Sequence, residues 1–412
     1  MREARDLDFP LPEYRRRLER IQALLDDGPL DGLFLTMRDQ VEYLSGFRVV
    51  SLRLLGKSFW LVVPRGAEPV LIVDSIHEVN AERTSCLEDV RIWGPGGRTA
   101  VDHLVEVFRE NGLEHAAVGM ELGSGLRVNM CQNDYEEIRS RLPRVRFADC
   151  GELLGRWKMV KSPGELERIR EACKITSSSL EKVFPSIGPG MTEGEILARI
   201  VSDMLARGAE TIYNSTNLAH IALQVDRTDQ VNPSPILRRG GTGDWVRFDG
   251  GAVYRGYCSD ISRNTVIGGP PSAPLARAYE ACVQVLDAAA GAVRAGVTSA
   301  EVCAAAEEEV RRLGYESRRR RTMDRISVAK GHMIGHGMGL SHHELPFICP
   351  ADETVWEEGM VVALEIGLGE QEYGFSDLED NYLVTADGCE RLSPCPRNLW
   401  QEKEAEPGPA SW

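Results

Sequence analysis

One stretch of this chain occurs twice. Gly190-Met191-Thr192, Glu195 and Gly208 are matched by Gly296-Val297-Thr298, Glu301 and Gly314, each 106 residues further on. In both copies a threonine N-cap and a glutamate three residues later form a capping box, and a glycine ends a helix of about four turns. Either two unrelated amphipathic helices share these caps, or the C-terminal part is built from two similar halves with a site at their seam.

A length of 412 residues suits two domains. Residues 1–155 read as an α/β domain. Its short apolar runs, Leu33-Phe34-Leu35, Phe59 to Val63 and Val70 to Val73, suit buried strands, and Glu13 to Leu25 and Val101 to Asn111 suit helices. This part holds no cluster of catalytic residue types. A second domain, 156–400, opens on Ser162-Pro163-Gly164-Glu165, a capping box with proline at the first helical position. Residues 401–412 form a polar tail carrying proline and glycine, a composition suited to disorder.

The formal net charge of −15 argues against nucleic-acid or anionic-membrane partners. No apolar run reaches the ~18–20 residues of a membrane span. The N-terminus, Met1-Arg2-Glu3-Ala4-Arg5-Asp6, leads into charged sequence rather than an apolar signal core. Ten scattered cysteines without a CxxC pair suit reduced thiols and a cytoplasmic location.

Three C-terminal segments place carboxylates or imidazoles on otherwise apolar, strand-like sequence. The first runs from Trp245 through Asp249-Gly250-Gly251 to Asp260-Ile261. A hairpin centred between Tyr254 and Arg255 would set Asp249 directly opposite Asp260, a like-charge pair that a shared cation neutralises; solvent-facing turn aspartates are the alternative. The second, Gly331 to His343, carries four of the chain's eight histidines: His332, His336, His342 and His343. Its glycines disfavour a long helix, Met333 breaks the zincin pattern, and Gly339-Leu340-Ser341-His342-His343 lacks the closing glycine of a nucleophile elbow. A clustered metal or proton-transfer role remains, against simple packing of single histidines. In the third, Glu365 ends the apolar run Met360 to Leu364, and Glu379 follows in Phe375 to Asp380; a buried unpaired charge is costly there, and coordination resolves it. Four carboxylates with one imidazole favour Mn²⁺, Fe²⁺, Co²⁺ or Zn²⁺ over a closed thiolate zinc site, and suffice for two ions about 3.5–4 Å apart that polarise a carbonyl.

At these residues the chain resembles the pita-bread-fold metallohydrolases: prolidase, aminopeptidase P, methionine aminopeptidase and creatinase. The resemblance covers nearly the whole chain, from Asp31-Gly32-Leu33-Phe34-Leu35 and Tyr43-Leu44-Ser45-Gly46-Phe47 through Met159-Val160-Lys161-Ser162-Pro163 to the three segments above. It implies an α/β N-terminal creatinase-like domain followed by an α+β pita-bread catalytic domain with an internal pseudo-twofold repeat. It further implies five metal ligands: Asp249, bridging Asp260, His336, Glu365 and bridging Glu379. Glu365 would assist proton transfer, while His332 and His343 would hold substrate or stabilise the tetrahedral intermediate. Two divalent ions, manganese first, are the expected cofactors, and a homodimer the expected assembly.

Three positions depart from the family pattern. Glu365-Ile366-Gly367 replaces Glu-Pro-Gly, and Asp377 stands where an arginine is usual, reversing a charge in the substrate pocket. Asn232 occupies the place of a histidine seventeen residues before Asp249, with His220 as a substitute only if the loop is rebuilt. Arginine pairs with a substrate carboxylate and aspartate repels one. The expected activity is therefore hydrolysis of an amide C–N bond in a short peptide of Xaa-Pro type, with Asp377, Asn232 and His343 shaping the substrate site. The alternative is a small non-peptide substrate: ectoine-type ring opening, creatinase-like hydrolysis or a dimethylsulfoniopropionate-type lyase reaction. A catalytically silent binding module is the third reading. Gly56-Lys57-Ser58 lacks the first glycine of a P-loop, and Arg318 to Arg321 reads as a solvated loop or an anion-binding rim.

Overall fold

The computed structural model describes residues 1–49, 59–123, 125–210, 219–224, 239–315, 333–370 and 374–398. The chain divides into two compact units, Met1–Lys158 and Met159–Trp412.

Along the first unit run α1 (Leu11–Asp26), β1 (Gly32–Leu35), α2 (Arg38–Ser45), β2 (Phe59–Pro64), β3 (Val70–Asp74), α3 (Glu78–Thr84) and β4 (Asp89–Trp93). They are followed by α4 (Ala100–Glu110), β5 (Ala117–Met120), α5 (Gln132–Arg141), β6 (Arg146–Asp149) and α6 (Gly151–Lys158). The strands form one mixed sheet in the order β4-β3-β2-β1-β5-β6. Strands β1, β2 and β3 are buried along their whole length, which is why they read as unbroken apolar runs. Helix α4 lays Val101, Leu104, Val105 and Phe108 against Phe34, Trp60 and Ile72. Among the described residues, no group of metal-ligating side chains falls in this unit.

The second unit contains α7 (Pro163–Val183), α8 (Glu193–Ala206), β7 (Ala219–Gln224), β8 (Trp245–Gly250), β9 (Val253–Tyr254), β10 (Tyr257–Cys258) and β11 (Ile261–Val266). Next come α9 (Ala273–Ala292), α10 (Ser299–Arg312), β12 (Gly335–Gly337), β13 (Glu344–Phe347), β14 (Val361–Glu370), β15 (Gly374–Val384) and β16 (Cys389–Arg391). Its large sheet is antiparallel, ordered β13-β12-β14-β15-β11-β8-β7, with β16 paired to β15. Alternation along each strand separates two faces. On β14 and β15, Val362, Leu364, Ile366, Leu368, Leu378 and Tyr382 join a core with Val285, Leu286 and Ala289 of α9 and Val302 and Ala306 of α10. On β8 and β11, Val246, Phe248 and Ile261 pack with Ile175, Leu180, Ile196 and Ile200 of α7 and α8. The other face carries Asp249, Glu365 and Glu379.

The repeated sequence is a repeated structure. Thr192 and Thr298 each accept a hydrogen bond from the backbone of the glutamate three residues on, with the reciprocal bond completing the capping box. Each threonine also makes an isolated bridge, Thr192 with Arg239 and Thr298 with Val355, just ahead of β8 and β14. Gly190 donates to the Gly240 carbonyl and Gly296 to the Trp356 carbonyl, both at 2.8 Å. Each half thus runs from a long helix through a capped helix to a strand hairpin. The hairpins meet where Ser262 of β11 pairs with Glu379 of β15. No helix among the described residues is long and apolar enough to cross a membrane.

Candidate metal centre

At that seam the register lines up one row of residues across four strands. Glu365 faces Glu379, Glu379 faces Ser262, and Ser262 faces Asp249. In the adjoining row Ala363 faces both His336 and Asn381, and Asn381 holds the backbone of Asp260. Three groups of potential ligand atoms result, each with all atoms within 4.8 Å of one another: Asp249, Asp260 and Glu379; Asp260, His336 and His343; and Asp249, Glu365 and Asp377. His336 Nε2 lies 3.7 Å from Glu379 Oε1 and 3.9 Å from Asp260 Oδ2.

Among the described residues, no lysine or arginine pairs with Asp249, Asp260 or Glu379 where these acids converge. Burial, then Asp249 and Asp377, push the Asp260 carboxyl well above its ordinary range. Burial, then Asp260 and Glu365, do the same to Glu379. The buried Glu379 Oε1 has no hydrogen-bond partner among the described residues. Burial, then His343, hold the His336 imidazole well below its usual value and so neutral. Its Nδ1 faces the Gly337 carbonyl at 3.1 Å; a carbonyl only accepts, so Nδ1 carries the proton and Nε2 offers a lone pair. Carboxylates that repel one another around a neutral imidazole with a free lone pair are the donor set of a hard or borderline divalent cation. Five carboxylates enter the three groups, and Asp249 and Asp260 each belong to two of them.

The glycines around His336 have a steric cause. A Cβ on Gly335 would lie 2.1 Å from the Ala363 carbonyl oxygen, and one on Gly337 would lie 2.2 Å from that of Leu345. Only glycine lets β12 slot between β14 and β13 and carry the histidine to the acids.

The five ligand candidates Asp249, Asp260, His336, Glu365 and Glu379 therefore converge. His343 joins them from an exposed position, its ring centroid 4.0 Å from that of His336. His332 and Asn232, as well as Arg318 to Arg321, lie outside the described residues. His220 occupies the register position on β7 opposite Asp249. The hairpin expected to oppose Asp249 and Asp260 turns one residue later. Arg255 (φ 47°) and Gly256 (φ 84°) form its corner, Asp249 pairs with Ser262, and Asp260 is a diagonal neighbour. Ile366 points into the core behind the sheet, so the loss of proline there alters no side chain on the ligand face. Asp377 brings its negative charge toward Asp260 and Glu379, and Arg247 Nη1 pairs with its Oδ2 at 3.2 Å, both side chains being buried.

Sequence reasoning did not find the Arg247–Asp377 pairing or the role of Asn381. Arg247 stands two residues before Asp249 on an otherwise apolar strand, and a lone charge there was the available signal. Asn381 two residues after Glu379 offered none.

A mixed sheet domain followed by a two-halved antiparallel sheet, with buried acids and an imidazole at its seam, defines the class of metal-dependent hydrolases. The model of metallopeptidase family M24 matches residues 167–386, and that of the creatinase/prolidase N-terminal domain matches residues 17–160. The chain belongs to metallopeptidase family M24. It is 27% identical over 385 residues to the Xaa-Pro dipeptidase of Pyrococcus furiosus, covering 93% of this chain and 99% of that protein. It is 24% identical over 421 residues to the ectoine hydrolase of Halomonas elongata, covering 96% and 98%. The prolidase structure from Thermococcus sibiricus superposes with a TM-score of 0.80 over 94% of this chain and 99% of that one, at 22% identity, a likeness of fold.

Proposed function

We propose that the protein hydrolyses the amide bond of a short peptide, with Xaa-Pro dipeptides as the first substrate class, using two divalent ions of which manganese is the first candidate. The single observation that carries this reading is the convergence of Asp249, Asp260, Glu365 and Glu379, with His336 against Asp260 and Glu379 and, among the described residues, no lysine or arginine paired to Asp249, Asp260 or Glu379. Asp249, Asp260 and Glu379 would hold one ion, and Asp260, His336, Glu365 and Glu379 the other. Bound there, such ions supply Lewis acidity toward a carbonyl oxygen and make water a better nucleophile near neutral pH. The half-buried Glu365 carboxylate would accept the proton of the attacking water and pass it to the leaving nitrogen. His343, exposed and stacked beside His336, would orient the substrate carbonyl. The likeness to the Pyrococcus Xaa-Pro dipeptidase over nearly the full length of both chains supports the peptide class.

Ring opening of a small cyclic amidine is the second reading, favoured by the full-length likeness to an ectoine hydrolase. Protein loaded with Mn²⁺ is assayed on glycyl-proline, Xaa-Pro-Xaa tripeptides and ectoine, alongside Asp260→Asn. Turnover of a proline dipeptide that Asp260→Asn lowers by about 10³-fold or more supports the peptide reading; ectoine turnover without peptide turnover replaces it. Loss of turnover on every amide, or full activity in Asp260→Asn, removes the hydrolase mechanism. The proposal includes a homodimer, which light scattering checks.

A further inference from the structure

The two halves of the second unit share little backbone pairing. Strands β14 and β15 pair along their length, as do β8 and β11, but β11 meets β15 at the single register pair of Ser262 with Glu379. A buried guanidinium takes the place of the missing ladder. Arg263 of β11, 0% exposed, stands opposite Phe248 on the helix side of the sheet, and each of its five N–H groups has an acceptor. Nη1 donates to the Ser262 and Glu379 carbonyls, both at 2.8 Å. Nε donates to the Pro396 carbonyl at 2.9 Å, and Nη2 to Asp380 Oδ1 at 2.5 Å and the Cys395 carbonyl at 3.3 Å. Cys395 and Pro396 belong to residues 392–397, which follow β16 and hold three successive residues of β15. Glu379 is held through Arg263. Asp380 is held by Arg397, whose Nε donates to its Oδ2 while the other nitrogens donate to Asp287 of α9 and the Tyr382 hydroxyl. Asn381 donates its N–H to Ser393 Oγ and accepts from the Leu392 N–H, both at 2.7 Å.

We propose that residues 392–397 form a strap that fixes Glu379 and Asp260 relative to each other, with Arg397 and Ser393 as positioning residues of the metal centre. The proposal rests on the two-ion reading above and adds to it residues that touch neither ion. Side chains alternate along β15, so a backbone anchored through Asp380 on the helix side also sets where Glu379 sits on the ligand side. Asp380 is fully buried between two guanidinium groups, a charge-assisted joint with little freedom to slide. Asn381, anchored by Leu392 and Ser393, in turn holds the main chain of Asp260. Asp260 and Glu379 come from different halves, and carboxylates shared by two ions must stay within about 0.5 Å of their working geometry. One register pair does not secure that; the strap and Arg263 together do.

The test uses the full-length protein and Mn²⁺, with affinity read by calorimetry and the coupling between the two ions read by electron paramagnetic resonance. The variants are Arg397→Met, Arg397→Lys, which keeps a cation for Asp380, and Ser393→Ala, which removes the acceptor of the Asn381 N–H. Thr298→Ala, which weakens a helix cap outside the strap, controls for loss of stability alone. Arg397→Met is expected to weaken Mn²⁺ binding about tenfold or more, and to replace the spectrum of a coupled pair by that of separate ions. Arg397→Lys is expected to recover most of that loss, and Thr298→Ala to keep wild-type affinity and coupling. If Arg397→Met fails to fold, Ser393→Ala decides by the same two readings. Wild-type affinity and coupling in the deciding variant, or the same change in Thr298→Ala, overturns the role of the strap and leaves the two-ion reading standing. A wild type that binds no coupled pair of ions overturns that reading and the strap's role with it.

Discussion

Asn381 grips the main chain of Asp260 on both sides: its Oδ1 accepts the Asp260 N–H at 3.0 Å and its Nδ2 donates to the Asp260 carbonyl. The amide imitates a strand partner where regular pairing between β11 and β15 has ended, so it fixes one of the two carboxylates, Asp249 and Asp260, that each belong to two of the three ligand groups. Its own orientation is held by Cys173 Sγ on α7, 3.2 Å from Oδ1. Replacement of Asn381 by alanine is expected to weaken metal binding about 10–100-fold, the usual cost of losing a partner that orients a ligand. Titration with Mn²⁺ followed by calorimetry reads this directly. Unchanged affinity would mean that Asp260 is held by the ions alone.

Asp260 itself should change the sign of its stability effect with metal. Its carboxyl in the metal-free fold is raised well above the ordinary value of 3.8 by burial and by Asp249. Below that ordinary value Asp260 is protonated in both folded and unfolded chains and contributes nothing. As pH rises past it, the unfolded chain ionises while the fold retains the proton, so the metal-free protein loses stability up to the raised folded value. Asp260→Asn removes the penalty. In chelator at pH 8 the variant should melt higher than wild type, by about 2–4 °C for each 1 kcal/mol relieved, with the gain shrinking toward pH 4. With Mn²⁺ present the order should reverse. Calorimetric melting at both pH values, with and without metal, decides it.

A second buried ion pair supports the loop that carries His342 and His343. Lys161 Nζ lies 2.9 Å from Glu344 Oε2, both side chains being almost fully enclosed, and Glu344 Oε1 accepts the Ser341 N–H at 3.1 Å. Lys161→Met should destabilise the protein by about 3–5 kcal/mol, because it leaves a buried carboxylate without its cation, and Lys161→Met/Glu344→Leu should recover most of that loss. Chemical denaturation of the two variants measures both quantities.

The repeated caps can be compared with each other. Thr192→Ala and Thr298→Ala each remove a side-chain acceptor from a helix N-terminus, and each should cost about 1 kcal/mol. Similar values by denaturant titration would mark the two caps as energetic as well as geometric equivalents. A negligible cost at one alone would show that packing, not the cap, holds that helix.

Much of the site was legible because it depends on alternation. Asp249, Glu365 and Glu379 each interrupt an apolar strand on the side turned away from the helices, and the glycines beside His336 mark a strand too tightly flanked for side chains. The twin capping boxes were legible for the same reason, being local. The turn between β9 and β10 was not. Centring it on Arg255-Gly256 requires a positive φ at an arginine, which composition does not announce, and a shift of one residue moves the partner of Asp249 from Asp260 to Ser262. The pairing of Arg247 with Asp377 was equally hidden, since it joins residues 130 positions apart and depends on β8 and β15 flanking β11. Read alone, Asp377 implied a reversed charge; the sequence did not show that a buried arginine pairs with it.

The most direct measurement is anomalous diffraction from crystals of the Mn²⁺-loaded protein. Two manganese peaks about 3.5–4 Å apart are expected, with Asp260 and Glu379 touching both, Asp249 on one side and His336 and Glu365 on the other. A single peak away from these five side chains, or none at saturating metal, would contradict the account.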